Sequence, residues 1–283
     1  MTETAFVLTL KCTDRPGIVS AVSTSIFDLG GNITDSAQYA HEASETFTLR
    51  MEVDVPEAAA AGFESTMRDK LKHFDPQLSI RKKADLRRAL IMVSKADHSL
   101  WDILYHWAAG DLPLEITGVV SNHEDLRSLV EPYGIPFHHA PITPENKAAR
   151  EAELDALITE TRTDFVVLAR YMQILSDSFC SRYPGRIINI HHSFLPGFKG
   201  ARPYQQAYDR GVKLIGATAH FVTSDLDEGP IIEQDVVRVN HRMLEADLAK
   251  IGRDVERRVL TRAVRLFAED RVILTGNRTV VFD

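Results

Sequence analysis

Cysteine is scarce in this chain: 283 residues contain two, Cys12 and Cys180, far apart and at no metal-ligand spacing. A disulfide framework is therefore not implied, and a reducing, cytoplasmic setting is the expectation. No apolar run reaches the roughly 18 residues of a membrane span. The opening Met1-Thr2-Glu3-Thr4-Ala5 has none of the basic and apolar character of a secretory signal. No membrane partner is expected. Positive charge is not in excess either: a formal net charge of −7 and a pI near 5.9 give polyanions no general attraction, which argues against a nucleic-acid surface. Internal repeats and low-complexity tracts are also missing. What is present, 44% hydrophobic and 26% charged residues, is the composition of an ordinary globular protein with room for two domains or one large α/β domain.

The first of these is expected over residues 1–83. Residues 5–11 alternate around Phe6, Leu8 and Leu10 as a strand, and residues 16–29 carry Ile18, Val22, Ile26 and Leu29 at helical spacing. Asp14 and Pro16 start that helix and Gly30-Gly31 stops it. Strands over 32–40 and 46–55, a helix over 58–74 and a strand over 77–82 complete a βαββαβ order. Residues 81–88, Arg81-Lys82-Lys83-Ala84-Asp85-Leu86-Arg87-Arg88, read as a solvated hinge.

Residues 84–283 form the second expected domain. Short apolar runs at 89–94, 114–120, 165–168 and 186–190 alternate with helical segments at 98–109, 125–131, 146–160 and 176–183, which implies a mostly parallel sheet with helices on both faces. A strand pair at 213–222 and 230–239, a long helix over 244–268 and a hairpin around Thr275-Gly276-Asn277 follow. The expected class is α/β, with a ferredoxin-like first domain and a Rossmann-like second one.

The chemistry is concentrated in Asn189-Ile190-His191, followed by Ser193-Phe194-Leu195-Pro196 and then by Asp227-Glu228-Gly229-Pro230. Asn189 and His191 flank one apolar residue, so both side chains leave a strand on the same face. An amide can hold an oxyanion, an imidazole can donate to it or shuttle a proton, and a carboxylate can orient that imidazole or take a proton from a nucleophile. Such a set suits attack on a small carbonyl. Each residue has a plainer reading: Asn189 closing a strand, Asp227 in a turn. The adjacent His191 and His192 point apart, with no Cys or Glu at a ligand spacing, so no metal is expected.

The order Asn-x-His, Pro-containing loop, Asp, with His191 and Asp227 36 residues apart, resembles the folate-dependent formyltransferase family. Arg170-Tyr171-Met172-Gln173-Ile174-Leu175-Ser176 is similar to its pterin-binding stretch, and Phe198-Lys199-Gly200 stands at its substrate loop. The resemblance implies Asn189, His191 and Asp227 as catalytic groups, with Asp227 a base whose pKa is raised by enclosure. It further implies a substrate slot from Leu168, Tyr171, Met172, Gln173, Ile174 and Leu175, faced by Val222, Asp225 and Leu226, with His220 beside the catalytic group and Gly229 in the loop of Asp227. Folate is then the substrate, and no cofactor is required.

The first domain resembles the ACT domain, a ferredoxin-like regulatory module, on Asp14-Arg15-Pro16-Gly17-Ile18-Val19 at its first strand-to-helix turn. That resemblance implies a small amino-acid effector near Asp14, Arg15, Pro16, Gly17, Ile18 and Asn32, where a helix N-terminus attracts a carboxylate, and pairing with a second copy. Capping by Asp14 and packing relief at Gly17 are the alternatives.

Transferases of phosphorylated amines in the family hold the acceptor phosphate on a Gly/Ser-rich loop after the first strand. Here that place reads Ser94-Lys95-Ala96-Asp97-His98-Ser99, without glycine and with an acid. The amine acceptor is thereby lost and water is left as nucleophile. With its ACT module, the chain resembles the formyltetrahydrofolate deformylase family, which implies hydrolysis of 10-formyltetrahydrofolate to formate and tetrahydrofolate, within one-carbon and purine metabolism. A transferase using a non-phosphorylated amine and a catalytically dead amino-acid sensor are the rival readings.

Overall fold

The computed structural model describes residues 2–197 and 202–283. Its contacts divide the chain into two units, residues 1–86 with 270–283, and residues 87–269. In the first unit, β1 (Glu3–Thr13), α1 (Ile18–Asp28), β2 (Asn32–His41), β3 (Thr46–Pro56), α2 (Glu57–Ala60), α3 (Phe63–Leu71) and β4 (Gln77–Lys82) give the βαββαβ order. The sheet is antiparallel in the order β2-β3-β1-β4. Alternation on β1 buries Phe6, Leu8 and Leu10 against Val22 and Ile26 of α1 and Phe63, Met67 and Leu71 of α3. The helix expected over 58–74 is broken: α2 stops at Ala60 with Ala61 as its C-cap, and α3 starts afresh from Gly62 as its N-cap.

Two expectations change here. Sequence reading gave 84–283 to one domain, yet 270–283, with the C-terminal hairpin β12 (Val272–Thr275) and β13 (Arg278–Val281), groups with the first unit. Lys11 Nζ donates to the Leu274 carbonyl at 2.8 Å and Arg81 pairs with Asp270 at 2.6 Å. The charged stretch 81–88 is a solvated hinge only in its middle, where residues 83–86 are exposed and the division between the two units falls. Arg81 ends within β4, Lys83 pairs with Glu52, and Arg87 and Arg88 open β5 with Asp164 and Glu115 as partners.

The second unit runs β5 (Arg87–Val93), α4 (His98–Ala108), β6 (Leu114–Ser121), α5 (Arg127–Val130), β7 (Phe137–His139), α6 (Lys147–Glu160), β8 (Phe165–Leu168), α7 (Asp177–Cys180), β9 (Ile187–His191), α8 (Pro203–Asp209), β10 (Leu214–Phe221), β11 (Ile231–Arg238) and α9 (Glu245–Ala268). Its sheet has the order β11-β10-β9-β8-β5-β6-β7. The five strands from β9 to β7 are parallel, and β10 and β11 are antiparallel. β7 is too short, and α8 too polar, to have stood out by periodicity. Phe267 on α9 packs its ring on Phe165 at 4.7 Å and on Phe221 at 5.9 Å, seating the long helix on one sheet face. At its start, the Asp247 carboxylate accepts the Leu244 N–H at 2.9 Å.

Chain order leaves β5 with β6 on one side and β8 on the other. The crevice beyond their carboxyl ends is the switch point of the sheet, where ligands of such folds bind. The Arg170 carbonyl accepts the Ser94 N–H there at 3.3 Å, and Ser94 Oγ accepts the Met172 N–H at 3.0 Å. The chain after β8 is thus held open as a loop.

Candidate active site

A cleft of about 610 Å³ lies at this switch point, within the second unit. Three elements bring polar groups to it. β9 ends in Asn189 and His191, two residues apart on one face, and β10 runs antiparallel beside it with His220 directly opposite Asn189. The loop after β10 returns Asp227, whose φ of 57° lies in the left-handed region that aspartate tolerates.

His191 Nδ1 is 3.2 Å from Asp227 Oδ1, with 5% and 9% of the two side chains exposed. A proton on Nδ1 serves that contact, which leaves Nε2, buried and without a hydrogen-bond partner, for the reacting group. His220 Nδ1 lies 2.8 Å from the Phe221 carbonyl, so the ring donates there and its Nε2 accepts. Asn189 Nδ2 stands 3.3 Å from that Nε2. One amide proton is committed to His220 and the second is available to an oxyanion.

Electrostatics correct one expectation. Burial pushes the Asp227 carboxyl upward, but the hydrogen bond and charge of His191, with the charges of His220 and His192, outweigh it and hold the group below the usual carboxylate value. Asp227 is depressed, not raised, because its enclosure is made of imidazoles. Burial lowers His220, against the upward pull of the Phe221 carbonyl and Asp227. His192 is lowered to about 3, by burial first and by Arg170 second.

The cleft gathers Leu168, Tyr171, Met172, Gln173, Ile174, Leu175, Asn189, His191, His220, Val222, Asp225, Leu226 and Asp227. Residues 171–175 are irregular backbone, so their peptide groups are not consumed by a ladder. Gly229 is not in the lining. A Cβ there would fall 1.7 Å from the Phe221 carbonyl oxygen, so glycine is needed to close the loop against β10. The expected loop at Phe198-Lys199-Gly200 lies outside the described residues. Arg170 of the pterin-like stretch and His192, considered above only as half of a metal pair, also line the cleft, as do Arg202, Tyr204 and Glu245, which sequence reasoning missed.

The segment after His191 is fixed by polar bonds. Thr218 Oγ1 donates to the Ser193 carbonyl at 2.9 Å and accepts the Leu195 N–H at 3.1 Å, and Gln234 Nε2 donates to Leu195 O at 3.1 Å. Among the described residues no group of three or more His, Cys, Asp or Glu is placed to hold a metal ion, and no helix is long and apolar enough to cross a membrane.

At the proposed effector turn, Gly17 takes φ 95°, and an added Cβ would meet nothing within 4 Å. Backbone conformation, not crowding, calls for glycine there. Asp14 caps no helix by its side chain; its N–H donates to Glu45 O at 2.7 Å. Arg15 covers the Phe74 ring at 4.8 Å. Asp14, Arg15, Pro16, Gly17 and Asn32 are exposed, whereas Ile18 is 2% exposed and belongs to the core.

A parallel sheet bearing an Asn, a His and an Asp over its switch point, alongside an ACT-type unit, defines a two-domain protein of the formyl transferase class. The Formyl transferase family matches residues 87–264 and the ACT domain matches residues 4–81. A formyltetrahydrofolate deformylase from Bacillus subtilis is 48% identical over 279 residues, covering 98% of this chain and 93% of that one. The crystal structure of a formyltetrahydrofolate deformylase from Pseudomonas syringae pv. tomato superposes with a TM-score of 0.96 at 44% identity, covering 100% of this chain and 96% of the other. A glycinamide ribonucleotide transformylase from Symbiobacterium toebii matches 70% of this chain and 95% of its own, with a TM-score of 0.66 and 32% identity. The chain belongs to the formyltetrahydrofolate deformylase family.

Proposed function

We propose that this protein hydrolyses 10-formyltetrahydrofolate to formate and tetrahydrofolate, with Asn189, His191 and Asp227 as the reacting side chains. The observation that carries the assignment is the 3.2 Å contact between His191 and Asp227, in one cleft with Asn189. The pteridine ring stacks into the slot walled by Leu168, Ile174, Leu175, Val222 and Leu226, and peptide groups of 173–175, outside any strand ladder, serve its polar edge.

The depressed Asp227 is ionised throughout the neutral range. It accepts a hydrogen bond from water and, as water adds to the formyl carbon, takes its proton. A carboxylate this acidic is a weak base alone, so His191, bonded to it, shares the load. The second Asn189 amide proton holds the tetrahedral oxyanion, joined by His191 once its Nε2 carries a proton. Collapse breaks the bond from carbon to the folate nitrogen, which takes the proton back. No step calls on a cofactor, and folate is the substrate.

Segment 94–99 supports water as nucleophile. Ser94 Oγ donates to Asn122 Oδ1 at 2.7 Å and His98 is bonded to Glu256, so these groups are spent within the protein. We further infer a small amino acid bound by backbone at Gly17, pairing of the exposed edge strand β2 with a second copy, and a cytoplasmic location, which the two free cysteines fit. The deciding assay supplies 10-formyltetrahydrofolate in buffer without any amine. Formate appearing no faster than in the protein-free control rejects hydrolysis. Added amino acids test the effector, and sedimentation at micromolar concentration tests the dimer.

A further inference from the structure

A charged cluster beside the reacting groups takes no part in the chemistry above. Glu256 of α9 keeps 1% of its side chain exposed, and a bare carboxylate in such a place is costly. Three groups answer it. His98 Nε2 lies 2.9 Å from Oε2, the Tyr204 hydroxyl donates to Oε1, and Arg170 Nε stands 3.4 Å from Oε2. They outweigh burial and hold the Glu256 carboxyl below its ordinary value. Tyr204 reaches this point because Gly252 has no side chain; a Cβ there would fall 2.0 Å from the hydroxyl.

Arg170 is an expensive choice. Its Nε and Nη1 are buried with no hydrogen bond, a desolvation that only the ion pair with Glu256 offsets, and its φ of 63° suits glycine better than arginine. Yet Arg170 and Tyr204 line the cleft together with His191 and Asp227. A residue retained against backbone preference and desolvation, at the reacting end of a cleft, has a use other than stability.

We infer that Arg170 and Tyr204, anchored by Glu256 beneath them, fill the place where an amine-bearing second reactant would have to stand, and so confine the nucleophile to water. The inference rests on the deformylase reading. An attacking nitrogen must come within about 3–3.5 Å of the formyl carbon with its substituents behind it, whereas water occupies only about 30 Å³. The guanidinium also repels an amine in its ammonium form. A fold shared with a glycinamide ribonucleotide transformylase needs such a plug if formyl transfer is to be avoided. With the plug removed, an amine nitrogen bonds to the formyl carbon, the bond to the folate nitrogen breaks, and the proton lost by the amine passes to that nitrogen.

The test uses the full chain with 10-formyltetrahydrofolate and glycinamide, and reads the ratio of N-formylglycinamide to formate by mass spectrometry. Wild type gives formate alone. Arg170→Gly, which suits the local φ, raises the ratio by roughly tenfold or more over the uncatalysed background, and Arg170→Lys, which refills the space with a cation, restores it. An unchanged ratio in Arg170→Gly, or amide formed by wild type, overturns the plug. Should Arg170→Gly fail to fold, Tyr204→Ala opens the same place from α8 under the same two outcomes. Wild type that releases no formate in amine-free buffer fails the deformylase reading itself, a result distinct from either.

Discussion

His191 Nδ1 lies 3.2 Å from Asp227 Oδ1, and both side chains are at least nine-tenths buried. The contact ties the end of a sheet strand to a loop 36 residues further on, so each partner fixes the rotamer of the other. Asp227→Asn keeps the shape but can neither take water's proton nor stabilise an imidazolium. Its kcat should fall by roughly 100- to 10,000-fold, while tetrahydrofolate binds within a few-fold of wild type by calorimetry. Turnover within tenfold of wild type would remove Asp227 from the role of base.

The mouth of the cleft carries Met172, Ile174 and Leu226, which are 59%, 65% and 57% exposed. Large apolar side chains held in water at a cleft are surface waiting for a ligand. Ile174→Ala and Leu226→Ala each remove about 1–2 kcal/mol of apolar contact with the bound ring, which predicts KM raised about 5- to 30-fold with kcat nearly kept. A fall in kcat at constant KM would mean that these residues do not form the pterin walls.

His192 sets a pH dependence of stability. Its folded pKa is about 3 against an ordinary 6.5, because burial and Arg170 disfavour the imidazolium. The unfolded chain therefore binds the proton first. The stabilising contribution is complete above pH 6.5 and declines as pH falls from there toward 3, at about 1.4 kcal/mol per unit for a single group. Buried His220 is shifted in the same direction. Urea midpoints should drop between pH 7 and pH 5, and His192→Asn should flatten the slope. Equal midpoints across that range in wild type would contradict the assignment.

Most strands were legible because each buries a period-2 or continuous apolar pattern, and Asn189, His191 and Asp227 were legible because the chain order of three chemically apt residues is specific. The Arg170–Glu256 cluster was not. Glu256 stands in Arg253-Asp254-Val255-Glu256-Arg257-Arg258, which reads as a solvated helix face. Only the spacing of Gly252, Glu256 and Leu260, all buried on one stripe of α9, marked it as internal. The depression of Asp227 was hidden for another reason: its sign depends on imidazoles from β9 and β10 that only the fold brings together. Assignment of residues 270–283 to the first unit likewise rests on long-range bonds from Lys11 and Arg81, which leave no local pattern.

Arg50 offers a test in the first unit. It lies on β3, its side chain is 2% exposed, and it bonds Asp35 at 2.9 Å and Glu52 at 2.6 Å. Asp35, 53% exposed, can return to water if Arg50 is removed, and Glu52, 18% exposed, keeps its pair with Lys83. Arg50→Ala should therefore cost about 1.5–3 kcal/mol, the range for hydrogen bonds to charged groups whose partners are left exposed or still paired. Burial pushes the Glu52 carboxyl up, while bonds from Lys83 and Arg50 outweigh it and hold the group low. That stabilisation is present above the ordinary value of 4.5 and is lost as pH falls below it. The gap between wild type and variant should accordingly be largest near pH 7 and shrink toward pH 3. Hydrogen exchange of the β3 amides reads this locally, and protection in Arg50→Ala equal to wild type at pH 7 would show that the ion pairs contribute nothing to the sheet.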